Sequence, residues 1–118
     1  MVSDEERRYE DRRARTRTTV AVELKLHAPD HHFMLLSRTV DLSSQGAFVR
    51  TNRPLPVGAS VKIAFDRGKQ RNPLTLTAEV VRAGIADGGR STGIALRFLD
   101  LNDLDESLIN ELIERAQA

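Results

Sequence analysis

A chain of 118 residues, 40% hydrophobic and 30% charged, is long enough to bury one modest core and too apolar to remain wholly unfolded. With no cysteine it has no disulfide framework, thiolate metal site or cysteine nucleophile, so the fold rests on its core alone. A net charge of +1 makes the whole protein a poor lure for nucleic acid, and the chain has neither an apolar run of ~20 residues nor an apolar leader, so no membrane span and a cytoplasmic location are expected.

The chain begins with Ser3-Asp4-Glu5-Glu6, the S-x-x-E form of a capping box, and acids followed by arginines suit a short exposed helix over about residues 4 to 14. No apolar stripe holds that helix down, so it is expected to fray in the free protein. Acids sit early in this segment; Arg12, Arg13, Arg15 and Arg17 then form a locally basic arm. Residues 1–17 therefore read as a flexible arm and 18–118 as the folded unit.

From Thr18 to His27, Val20, Val22, Leu24 and Leu26 alternate with Ala21, Glu23 and Lys25, the period of a half-buried strand. Ala28-Pro29-Asp30 is the turn that follows. Phe33 to Val40 supplies a second strand, although Phe33, Met34, Leu35 and Leu36 are consecutive and leave its facing open. Gly46 to Thr51 is a third, and Pro54-Leu55-Pro56-Val57-Gly58 is a loop whose prolines cannot join a central ladder. Val61, Ile63 and Phe65 mark a fourth strand. After the polar run Arg67 to Asn72, Leu74, Leu76, Ala78 and Val80 mark a fifth; the glycines between Ala86 and Arg90 lead to a sixth through Ile94, Leu96 and Phe98.

Six short strands joined by turns predict an all-β fold, an antiparallel six-stranded sheet closed into a barrel, because closure removes exposed edges. The tail changes period. Leu104, Leu108 and Leu112, flanked by Ile109 and Ile113, recur at helical spacing and predict a C-terminal helix over 103–116, capped by Asn102 or Asp103, with its leucines against the barrel.

Two motifs exceed what such a scaffold needs. Asp41-Leu42-Ser43-Ser44-Gln45-Gly46 follows the second strand, and continued alternation would put the Asp41 carboxylate and the Ser43 hydroxyl on one side. Gly46 allows either a positive φ or the close approach of a flat ring. Upstream, Arg12-Arg13-Ala14-Arg15-Thr16-Arg17 has the pattern R-R-x-x-x-R just before the first strand, and Gly93-Ile94-Ala95-Leu96-Arg97-Phe98 reads G-x-x-x-x-F in the last. These three in order resemble the PilZ domain, a receptor module for the bacterial second messenger cyclic di-GMP.

The resemblance covers about residues 10 to 116 and implies a split-barrel fold with a ligand bound by Arg12, Arg13, Arg17, Asp41, Ser43, Gly46 and Gly93. Thr18-Thr19 stands where the family often has valine-proline, and a second frame, Arg8 to Arg12, lies farther from the strand; Arg13 and Arg17 are preferred. The chemistry suits the residues. Guanine presents O6 and N7 as paired acceptors, and an arginine fork meets that pair or a phosphate with two bonds and can stack on a base. Asp41 can accept from guanine N1 and N2 hydrogens or hold one arginine in place, and Ser43 can donate to a base or phosphate oxygen.

The resemblance implies a receptor and adaptor, with no cofactor beyond its ligand, that orders its arm over cyclic di-GMP and passes the signal to a separate partner protein as a monomer or ligand-dependent homodimer. Two alternatives stand beside it. Asp41 and Ser43 can simply cap the turn through main-chain N–H groups, and the chain can be a PilZ module that acts through protein contacts without ligand. Scattered aromatics, Tyr9, Phe33, Phe48, Phe65 and Phe98, argue against a nucleic-acid stacking surface, and His27, His31 and His32 are not spaced as a metal site or catalytic triad, so no enzyme is expected.

Overall fold

The computed structural model describes residues 18–69, 71–86 and 91–117. The basic arm, with its expected helix over 4 to 14, lies outside the described residues. Within them, period-two patterning becomes inside–outside alternation: β1 (Glu23–Ala28) exposes Glu23, Lys25 and His27 and buries Leu24, Leu26 and Ala28. The ambiguous run in β2 (Phe33–Leu42) resolves the same way, with Phe33 5% exposed while Met34 and Leu36 are 59% and 78% exposed.

β3 (Gly46–Arg50), β4 (Ser60–Phe65), β5 (Leu74–Ala86) and β6 (Ser91–Leu99) complete the sheet. All pairings are antiparallel, in the order β1-β2-β3-β6-β5-β4, and β4 pairs back onto β1, so the six strands form the expected closed barrel. Alternate side chains fill its interior, where Phe65 and Phe98 meet edge to face with ring centres 5.9 Å apart, a pair worth about 0.5–1.5 kcal/mol beyond its buried area.

Strand limits depart from the sequence pattern in several places; β2 runs on past Val40 to Leu42, and β3 stops at Arg50. β1 starts at Glu23 rather than Thr18, because the side chain of Thr39 stands in for ladder bonds beside Val20 and Val22. β5 extends to Ala86 and β6 starts at Ser91, since these two strands pair through Ala86 opposite Ser91. Pro29–His31 forms a single 3-10 turn, closed by the His32 N–H to the Pro29 carbonyl at 3.2 Å.

The helix, α1 (Asp103–Gln117), is capped as expected by Asn102, whose Oδ1 accepts the Asp105 N–H at 2.7 Å, while the Asn102 N–H donates to Asp105 Oδ2 at 3.3 Å. Its inward stripe differs from the expected one. Ile109 and Leu112 are its buried centre, and Leu104 is 65% exposed, because at about 100° per residue Leu104 stands some 140° around the helix from Ile109. Arg115 donates to the Arg67 carbonyl and Glu111 meets Arg71 at 3.3 Å, so the loop after β4 ties the helix over the barrel end that also carries the Asp41–Gly46 turn. These are exposed contacts and add little energy; Ile109 and Leu112 in the shared core hold the helix.

β3 and β6 approach so closely that two glycines are required. A Cβ on Gly46 would lie 2.1 Å from the Leu96 carbonyl oxygen; one on Gly93 would lie 2.0 Å from the Val49 oxygen and 2.7 Å from the Phe48 ring. Gly93→Ala is therefore expected to force the ladder apart and cost about 1–3 kcal/mol or more in urea unfolding. A variant as stable as the parent would contradict the close approach.

Candidate functional site

The D-x-S-x-x-G segment folds as a compact turn built on Ser43. Its hydroxyl accepts the N–H groups of Gln45 and Gly46 at 3.0 and 3.1 Å and donates to the Gly46 carbonyl at 3.3 Å, while the Ser43 N–H donates to that same carbonyl at 2.9 Å. At 5% exposure, Ser43 is committed to the turn. It also lies beyond the end of β2, so strand alternation does not extend to it. Gly46 is not among the positive-φ glycines; the space that a flat ring was expected to use is filled by the Leu96 carbonyl instead.

Gly93 does not belong to this turn. Gly46 pairs with Arg97 and Gly93 with Arg50, so the two glycines sit at opposite ends of the β3–β6 ladder, about 13 Å apart at 3.3 Å per residue. What the fold brings to the turn is the root of the arm. Thr18 and Leu42 exchange both main-chain bonds, at 3.2 and 2.9 Å, which pins the residue following Arg17 between Asp41 and Ser43. Consecutive Cα atoms are about 3.8 Å apart, so the arm departs at this corner. Arg12, Arg13 and Arg17 themselves lie outside the described residues.

Thr39 secures that corner, and sequence inspection missed it. Only 2% exposed, it lies in a run of inward positions where an apolar residue would be expected. Its Oγ1 accepts the Val22 N–H at 3.0 Å and donates to the Val20 carbonyl, and its own N–H donates to the Val22 carbonyl at 3.1 Å. A polar residue at a buried strand position is the signal that would have flagged it.

Two interruptions of register decide which side chains face outward. Thr39 pairs with Val49 but Asp41 with Phe48, so Val40 is an extra residue in β2. Without that bulge Asp41 would share the inward parity of Thr39; with it, Asp41 turns to the outer face. β5 repeats the device: Val80 pairs with Leu96 and Arg82 with Ala95, so Val81 is extra and Arg82 also turns outward. Since Ala47 and Val49 face the core, Phe48 points outward, and the Arg82 guanidinium lies 5.9 Å from its ring centre. Asp41, Phe48, Ala95 and Arg82 thus form one row across β2, β3, β6 and β5.

An open cavity of about 620 Å³ lies elsewhere, on the outer face of β1, β2 and β4, and none of the motif residues among the described residues lines it. Among the described residues no three His, Cys, Asp or Glu side chains gather as a metal site requires. No helix among them is long and apolar enough to cross a membrane.

The family model for the PilZ domain matches residues 6–115. This chain belongs to the PilZ family. No curated protein matches it significantly. Among solved structures it is similar to the inhibitor of motility MotI/DgrA of Bacillus subtilis, with a TM-score of 0.66, 13% identity, and coverage of 86% of this chain and 49% of that one. It spans about half the length of that protein. The PilZ domain of YcgR from Escherichia coli, solved with c-di-GMP, gives a TM-score of 0.60 and 19% identity over 86% of this chain and 89% of that one. The PilZ domain of CeSA from a cellulose-synthesizing bacterium gives 0.61 and 20% over 86% and 98%. At these identities the likeness is one of fold.

In this PilZ barrel Thr39→Val keeps the shape but strands the Val22 N–H and the Val20 carbonyl. The expected cost is about 1–3 kcal/mol in denaturant unfolding, with faster hydrogen exchange at the Val22 amide. Unchanged stability and exchange would remove Thr39 from the anchoring of residues 18–22.

Proposed function

We propose that this PilZ domain is a cyclic di-GMP receptor in which Arg12, Arg13 and Arg17 close over a ligand seated on the outer barrel face beside Asp41. The observation that carries the reading is the Thr18–Leu42 bridge, which tethers the arginine arm to the D-x-S-x-x-G turn. Arginine forks supply paired bonds to phosphate or guanine O6 and N7, and the outward Asp41 carboxylate complements guanine N1 and N2 hydrogens. Ser43 serves by shaping the turn, and Gly46 and Gly93 serve by keeping β3 and β6 close.

Binding that contacts only the ordered arm shifts the arm's population toward order, so the output is a new surface offered to a separate partner protein, and the protein is an adaptor rather than an enzyme. A cytoplasmic location belongs to the same proposal. A second reading, a PilZ module that works through protein contacts alone, is favoured by one observation: the Ser43 hydroxyl is already saturated by main-chain groups.

Titration calorimetry with cyclic di-GMP separates the two. The intact protein is expected to bind, and Arg17→Ala to lose about 5- to 150-fold in affinity, the equivalent of ~1–3 kcal/mol for one bidentate contact. Absence of heat with the intact protein at high micromolar ligand would leave the protein-interaction reading standing.

A further inference from the structure

Arg82 belongs to neither arginine motif and lies far along the chain from both, yet the fold goes to some length to present it. The extra residue Val81 reverses the facing of everything after it in β5; without that bulge, Arg82 would share the parity of the buried Val80. An independent bulge at Val40 turns Asp41 onto the same face and into the same cross-strand row. Both re-aimed side chains are charged, opposite in sign, and separated only by Phe48 and Ala95.

The centre of the row is closed to solvent: Ala95 is 4% exposed, and the Phe48 ring, 1% exposed, lies against Gly93. A base cannot reach that ring. It can reach Arg82, which is exposed and whose guanidinium rests over Phe48 at 5.9 Å. At that distance the ring is within range of a cation–π contact that steadies the guanidinium, and an exposed guanidinium plane can stack on a planar base.

Resting on the receptor reading above, we propose that Arg82 is a ligand-contacting residue that stacks on the second guanine of a cyclic dinucleotide whose first guanine is read at Asp41. Asp41 and Arg82 are three strand spacings apart, about 14 Å at roughly 4.8 Å each. One purine cannot span that row; a ligand with two purines, or two stacked copies of it, does. The bulges at Val40 and Val81 therefore form a matched pair, one for each end of the ligand.

The test is titration of the full chain with cyclic di-GMP across Arg82→Ala, Arg82→Lys, Asp41→Ala and the Asp41→Ala/Arg82→Ala double variant. Arg82→Ala is expected to weaken binding about tenfold, the equivalent of 1.4 kcal/mol. Arg82→Lys keeps the charge and a stem over Phe48 but not the plane, and is expected to restore little of the loss; because it preserves packing, it stays informative if the alanine variant folds poorly. Because one ligand spans both residues, the double variant is expected to bind more weakly than either single variant. Unchanged affinity in Arg82→Ala, full rescue by lysine, or a double variant no weaker than Asp41→Ala alone would each overturn the role of Arg82 while leaving the receptor reading intact. Failure of the intact protein to bind would overturn both.

Discussion

Closing six short strands on themselves fixes the phase of every one of them. Once β4 pairs with β1 there is no free edge and no slack in register, so each strand must send alternate residues into a narrow interior. Leu26, Val61, Ile63 and Phe65 obey that demand with no exposed surface at all. A side chain needed on the outside at an inward position can reach it only by breaking phase. In this barrel the phase is broken once in β2 and once in β5, and the residue placed outside each time is charged.

The same constraint explains why both motif glycines serve the scaffold. The β3–β6 pair carries outward-facing Phe48 beside Gly93, and the main chains come so near that any Cβ at Gly46 or Gly93 would sit inside van der Waals contact with a carbonyl. That closeness is a matter of packing: the two glycines are what let β3 and β6 approach.

The turn after β2 joins this face to the arm. Ser43 closes the turn on itself, Thr18 and Leu42 bond back to back, and Thr39 holds residues 20 and 22 from within the barrel. The helix α1 covers the same end of the barrel, with Ile109 and Leu112 completing the core beneath it.

Local patterning in the sequence determined the six strands, the C-terminal helix with its Asn102 cap, the barrel they form, and the two polar motifs that mark a PilZ domain. Each of these follows from residues near one another in the chain, where period, turn chemistry and capping act. The sequence did not determine that Leu104 faces solvent, that Ser43 spends its hydroxyl on its own turn, or that Gly46 accommodates a neighbouring carbonyl. Nor did it show Thr39 as an anchor or Asp41 and Arg82 as the ends of one row. Those facts depend on which strand lies beside which and where register slips by one residue, and no segment of the chain carries the register of a partner strand distant in sequence.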